Sequence, residues 1–514
     1  MFKSVFTVSF YTLISRILGF IRDIFIASYL GSTLVADAFF VAFRIPNYFR
    51  RVFAEGAFSA AFIPVYSGLV HQKEKNKDAL NFINQTMSIL IFSILLIAII
   101  FHFIMPQVIL VLAPGFVGDE ETFNLAVHFG RIIFPYLLFV ALVAQFTSIT
   151  NTYNKFAFGA FAPALLNIAF IGSLIFLTPF VITPAHALSY GVLLGGVVQV
   201  GMMYFAIYKI QITPTLVLPK IDNNIIKFFK LFFPGVLGGA AIQLNIIVGT
   251  IIASFLPTGS ISHLYYADRI TQLPLGIFGI ALGIALLPTL SKLIKENADI
   301  KKIISIQNRS IEFALLISIP SAIGLYILAE PIIKILFERG AFVSADTFFT
   351  SRALSLFALG LPAYILIKVL NPSFYSREDT KTPFYITLFC VLINIIISLI
   401  LIGSYRELGI ALATAIASWF NVILLYIILS KRGYMSFDKQ IKINFLKIII
   451  SSFIMFIVVL LLKNLFFLQI TTTNYIFSIL LLLITILIAI IIFGIMIFML
   501  KIYTIEEIQK NMKK

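Results

Sequence analysis

The chain is a succession of apolar runs, many of roughly 18 residues or more, separated by short polar breaks. A helix rises 1.5 Å per residue, so each run is long enough to cross about 30 Å of hydrocarbon. The pattern predicts spans at about 5–30, 36–64, 87–112, 126–150, 160–181, 186–208, 228–256, 263–289, 308–329, 347–371, 384–403, 408–430, 444–468 and 475–500. That is an all-α polytopic membrane protein of about fourteen transmembrane helices.

Charge in the breaks is an independent check on the count. Alternate connections carry Lys73, Lys75 and Lys77, then Lys155, then Lys209, Lys220 and Lys227, then Lys292, Lys295, Lys301 and Lys302, then Arg377 and Lys381, then Lys431, Arg432, Lys439 and Lys442. The intervening breaks are poor in base, and one holds the acidic Asp119, Glu120 and Glu121. Only the break with Lys334, Glu338 and Arg339 is mixed. Positive charge stays on the cytoplasmic side, which places both termini there and makes the number of spans even.

A repeat organises the spans. Ile26-Ala27-Ser28-Tyr29-Leu30 returns as Ile252-Ala253-Ser254-Phe255-Leu256, Arg44-Ile45 as Arg269-Ile270, and Ile63-Pro64 with Ser67 as Leu287-Pro288 with Ser291. Six spans separate the copies, and an even number preserves orientation. The expected plan is two parallel six-helix repeats around a central cavity, residues 1–215 and 216–438, followed by two additional helices at 439–514.

Composition agrees with lipid as the main solvent. Of the 514 residues 60% are hydrophobic and 12% charged, the mean hydropathy is +1.04, and soluble domains are roughly a quarter charged. A net charge of +16 would suggest nucleic acid in a soluble protein. Here it reflects basic cytoplasmic loops, and no nucleic-acid partner is expected. The single cysteine, Cys390, lies in an apolar run and supports neither a disulfide framework nor a Cys metal site. Lys3 before an apolar stretch could suggest a signal peptide, but Arg16, Arg22 and Asp23 interrupt that stretch and no small-residue cleavage site follows, so an uncleaved first span is expected.

Walker A, HExxH and GxSxG patterns are absent and the five histidines are scattered, so neither ATP-driven pumping, metal catalysis nor any cofactor is expected. What remains is charge inside the spans. Ser15, Gly19 and Arg22 share one face of the first helix at i, i+4, i+7, and Arg16 and Asp23 share a neighbouring face. Asp37, Arg44, Arg50, Arg51 and Glu55 follow in the second. The plain reading has Arg50 and Arg51 snorkelling at a helix end, and Arg51 paired with Glu55 at i, i+4. However, the matching repeat segment, Tyr265 to Leu287, is apolar after Arg269, which carries the second span on to Pro64 with the arginines inside it. Each arginine at mid-bilayer costs at least about 2.5 to 3.5 kcal/mol, so a group of them implies a watered cavity or tight pairing. Arginines also outnumber nearby carboxylates, and Arg269 beside Asp268 adds a base and an acid from the second repeat. Such a cavity suits an anion, and the guanidinium fork suits phosphate or diphosphate oxygens. Gly279 and Gly283 read as close helix packing, and Pro46, Pro234 and Pro274 as kinks.

These residues resemble a known family. Ser15 to Asp23 (SRILGFIRD), Ala36 to Asn47 (ADAFFVAFRIPN) and Arg50 to Ser59 (RRVFAEGAFS) are similar to the signature of the MurJ (MviN) lipid II flippases, of the multidrug/oligosaccharidyl-lipid/polysaccharide exporter superfamily. Tyr265 to Arg269 and Phe374 to Pro383 extend the likeness over essentially the whole chain. The resemblance implies a transporter, not an enzyme, that moves lipid II from the cytoplasmic to the periplasmic leaflet of the bacterial inner membrane by alternating access. It implies that Arg16, Arg22, Arg50 and Arg269 line the cavity and hold the diphosphate, with Arg51 among them and Asp37 and Glu55 as acidic partners. It further implies that the last two helices groove the polyprenyl tail, and it makes membrane lipids and the cell-wall synthesis machinery partners. The chain departs from members with a sodium site: its seventh span offers Gln243, Asn245 and Gly249 and no carboxylate, so no metal site is expected. A drug or polysaccharide-lipid exporter of the same superfamily fits the span count but not the arginine-rich first two helices. A polyprenyl-phosphate membrane enzyme would need carboxylates in a loop, and none stand out.

The charge alternation makes the topology testable. Cysteines replacing Lys75 and Lys295 should label only from the cytoplasm and one replacing Thr258 only from outside; labelling of position 295 from outside breaks the span count.

Overall fold

The computed structural model describes residues 2–52, 57–70, 76–467 and 475–502. Among these residues there are helices, turns and extended connections but no strand, as expected where lipid leaves each backbone N–H and C=O to be satisfied within its own helix. Contacts divide the chain into two units: Met1–Ser262 with Arg339–Phe342, and His263–Glu338 with Val343–Lys514.

The first unit holds α1 (Phe2–Leu30), α2 (Leu34–Val52), α3 (Phe58–Val70), α4 (Asn76–Leu112), α5 (Glu120–Ile133), α6 (Tyr136–Thr152), α7 (Ala157–Phe176), α8 (Pro184–Tyr208) and α9 (Asn223–Ala253). Helix α7 packs on α1 and α8, α8 on α6, α2 on α5, and α9 on α2, α3 and α4. Between lipid-facing helices there is little hydrophobic drive, so close approach depends on small residues. A Cβ on Gly191 of α8 would lie 2.5 Å from the Ser173 hydroxyl of α7, and one on Gly195 would lie 2.7 Å from Leu166 Cδ1. Helix α9 is fastened instead by rings. Phe228 meets Phe58 of α3 and Phe82 of α4 at centroid distances of 5.3 and 6.4 Å.

The extended stretch between α8 and α9 lies along α4, which supplies the hydrogen bonds this segment lacks internally. Asn84 Oδ1 accepts from Thr215 N at 2.9 Å, Ser88 Oγ from Val217 N at 3.0 Å and Gln85 Oε1 from Lys220 N at 2.7 Å. At the corner after α1, Gly31 has φ +58°, and a Cβ there would fall 2.2 Å from Ala341 O. Ala341 N in turn donates to Ser28 O at 2.8 Å. Only glycine accepts both the left-handed backbone and the approach.

Helix α10 (Ser260–Pro274) begins in the first unit and runs on from His263 in the second, which also contains a π-helical turn at Leu275–Gly279, α11 (Ile280–Lys295), α12 (Ile300–Ile327), α13 (Ala329–Phe337), α14 (Ser344–Tyr375), α15 (Lys381–Tyr405), α16 (Glu407–Lys431), α17 (Lys439–Phe467) and α18 (Tyr475–Met499). Helix α14 is central, packed on α11, α12, α13 and α16. Its Leu361 and Ile365 are fully buried with Leu290, Leu425 and Ile448. Helix α17 is clasped to α12 through Glu312, which is 1% exposed: Asn444 Nδ2 donates to it at 2.6 Å, and Arg309 pairs with it and reaches Asp438 at 2.8 Å.

By length and apolarity, 11 helical stretches among the described residues can cross a membrane, the last two being Lys439–Phe466 and Tyr475–Met499. One of them, Glu120–Thr152, takes in α5 and α6, and Ser260–Lys295 takes in α10 and α11. The expected spans outside this set are α1, which carries Arg16, Arg22 and Asp23, the α2–α3 pair, and α9. An all-helical membrane protein is thus seen as expected. Residues 53–56, where the second span was expected to continue, lie outside the described residues.

The Phe374 to Pro383 segment is a helix junction. Asp379 accepts from Thr382 N at 2.9 Å and from Thr382 Oγ1 at 2.6 Å, and Arg432 Nη1 donates to it at 2.6 Å. Burial opposes ionisation, but the Thr382 and Arg432 donors outweigh it and hold the carboxyl at about 2. A depressed acid stabilises the fold above its unfolded value, near 4, and loses that contribution as pH falls towards 2. Asp379→Asn should therefore lower stability by about 1 kcal/mol at pH 6, discounted because Arg432 is largely exposed, and thermal unfolding of the variant and parent should converge as pH drops from 5 to 2.

Candidate substrate-binding site

Helix α1 presents Arg22 half-buried and Asp23 almost fully buried. The Arg22 guanidinium donates through Nε and Nη2 to Asp23 Oδ1 at 3.0 and 2.7 Å. Its Nη1 donates to Asn167 Oδ1 of α7 at 2.9 Å, and the group lies 5.3 Å from the centroid of Phe170. Of five N–H donors, three are engaged by these partners. The charge is thus held rigidly with donors to spare. Arg16, six residues earlier, is exposed and makes no hydrogen bond or ion pair among the described residues.

Helix α2 carries Asp37, Arg44, Arg50 and Arg51. Arg50 is half-buried, with Nε donating to Asn47 Oδ1 at 2.9 Å. The hydroxyl of fully buried Tyr136, which donates to Gln199 Oε1 at 3.2 Å, is within electrostatic reach of both Arg50 and Arg22. The first unit therefore brings Arg22 and Arg50 to one region. Arg44 is bonded to Thr250 of α9. The Arg51 side chain and Glu55 lie outside the described residues.

Asp37 is 3% exposed and accepts from backbone N–H groups. Its Oδ2 accepts from Gly259 N at 2.7 Å, and its Oδ1 accepts from Ser262 N at 2.9 Å and from the Ser262 hydroxyl. Those N–H groups belong to a helix start, where a carboxylate is favoured. In the second unit, Arg269 is half-buried on α10 with its guanidinium 4.5 Å from the Tyr265 centroid, and its neighbour Asp268 accepts from Gln272.

Motif spacing did not single out Asn167, Gln199 or the pairing of His263 with Glu407 at 3.2 Å. The available signal was an amide or imidazole within an apolar run, which needs a buried partner.

Solved structures share this helical architecture. An inward-facing multidrug resistance MATE family transporter of the MOP superfamily matches with a TM-score of 0.64 over 84% of this chain and 98% of its own, at 14% identity. That likeness concerns the fold alone, and the class it defines is the multi-helix membrane protein. The family model for "Lipid II flippase MurJ" matches residues 26–485, and the chain belongs to that family. Proteins described as probable lipid II flippase MurJ from Rhizobium tropici and Rickettsia prowazekii (strain Madrid E) are each 40% identical, covering 88% and 90% of this chain and 85% and 90% of their own lengths. A structure titled as lipid II flippase MurJ in an inward closed conformation matches with a TM-score of 0.77 at 32% identity over 95% of this chain and 98% of that one.

Removing the Asp37 carboxylate strands two buried N–H groups, so Asp37→Ala should cost about 3 kcal/mol and lower the unfolding temperature in detergent. Parental stability with transport lost would instead assign Asp37 to the substrate.

Proposed function

We propose that the chain moves lipid II from the cytoplasmic to the periplasmic leaflet of the bacterial inner membrane by alternating access, with a cationic cavity lined by arginines holding its diphosphate. Family membership makes it a transporter rather than an enzyme, and lipid II is a membrane-anchored diphosphate whose anionic part has to cross hydrocarbon. The observation that carries the reading is Arg22, a largely buried, rigid guanidinium with N–H groups left over by Asp23 and Asn167. A fork held flat by fixed partners can present parallel donors to adjacent phosphate oxygens without paying to be ordered.

In this reading Arg16, Arg22, Arg50 and Arg51 act from the first lobe and Arg269 from the second, within fourteen spans arranged as two parallel six-helix repeats, 1–215 and 216–438. Helices α17 and α18, within 439–514, supply the groove for the polyprenyl tail, and both termini are cytoplasmic. Asp37 and Glu55 serve as acidic partners of the arginines. A polyvalent anion bridging cations from both lobes favours the state in which they converge, and so shifts the population between inward and outward access. The product is delivered to the cell-wall synthesis machinery, and membrane potential or the substrate gradient drives the cycle more than sodium does.

Arg22→Ala and Arg269→Ala should each abolish flipping in vesicles while leaving the protein inserted. Lysine at either position should restore little, because an ammonium lacks the bidentate fork. Full flipping by both alanine variants would sink the proposal.

A further inference from the structure

Asn167 lies on α7, is 6% exposed, and touches three positions of α1 at once. Its Oδ1 accepts from Arg22 Nη1 at 2.9 Å and its Nδ2 donates to Ser15 O at 3.0 Å. Between these contacts its amide lies over Gly19, where a Cβ would come within 3.3 Å of Nδ2. Ser15, Gly19 and Arg22 occupy one face at i, i+4 and i+7, and all three meet the same carboxamide. One amide orientation satisfies both partners, since the guanidinium only donates and the carbonyl only accepts. Neither Asp nor Leu reproduces that pair. Phe170, one turn further along α7, lies beneath the same guanidinium at 5.3 Å.

We propose that Asn167 is a positioning residue for substrate: with Phe170 and Asp23 it sets the plane of the Arg22 guanidinium, so that the two N–H groups left over are aimed at the diphosphate. This deepens the assignment of Arg22 to the diphosphate and rests on it. Asp23 neutralises Arg22 but binds it from the adjacent residue on the same helix. Asn167 ties it to a second helix, so a shift of α1 along α7 would re-aim the donors. Gly19 is part of the device, because a methyl there forces the carboxamide outward by a few tenths of an ångström.

The test is a double-mutant cycle on the full chain in nanodiscs, reading lipid II affinity together with thermal unfolding. Asn167→Ala should weaken lipid II binding about tenfold, the equivalent of one charge-assisted hydrogen bond, and Gly19→Ala should weaken it less but in the same direction. With Arg22→Ala already present, Asn167→Ala should add no further loss, because its effect passes through the guanidinium. Unfolding temperatures of the two single variants that do not alter Arg22 should track their parent within a few degrees. Should Asn167→Ala fail to insert, Gly19→Ala against Arg22→Ala completes the same cycle. Parental affinity in Asn167→Ala, or losses that multiply in the double variant, would overturn the positioning role. If Arg22→Ala itself binds lipid II as the parent does, the diphosphate assignment fails instead.

Discussion

A guanidinium buried among apolar helices must be paired, and the packing of α1 on α7 follows from how that is done. An unpaired buried charge is costly, while one neutralised by a matched carboxylate alone would have little charge left for a ligand. Arg22 is treated in a third way. It has Asp23 for charge, Asn167 for direction and the Phe170 face for the remaining desolvated surface. The amide and the ring contribute no charge, so the group is stabilised without being extinguished. Helix α7 is held close to α1 by the same contacts, and the glycines of α8 then let α8 close against α7.

The carboxylates draw their donors from guanidinium groups and from backbone. Asp23 and Asp379 take guanidinium donors, whereas Asp37 takes the N–H groups of Gly259 and Ser262. Both uses are favourable for the same reason, since a buried carboxylate needs several donors. Spacing along a helix cannot distinguish them, because a helix start elsewhere in the chain competes with a nearby arginine for the same oxygen atoms. Buried polar clasps do corresponding work in the second unit. Glu312 joins α12 to α17 through Asn444 and Arg309, where the apolar faces alone would leave the pairing weakly specified.

The class of the protein was legible in the chain itself. Helices long and apolar enough to span a bilayer have to appear wherever such runs occur, because in hydrocarbon the backbone satisfies its own hydrogen bonds only that way, and so the all-helical membrane fold followed from hydropathy. The arginine motifs of the first two helices were sufficient for the family. What the tertiary structure decided was the partner of each charge. That Asp37 caps a turn more than 200 residues away, that the seventh expected span, α9, packs with the first unit through Phe58 and Phe228, and that Ser15, Gly19 and Arg22 converge on Asn167 are matters of which helix lies alongside which. Period and composition specify the face a helix presents, but in lipid nearly every face is apolar, and only the approach of particular small and polar side chains determines what that face meets.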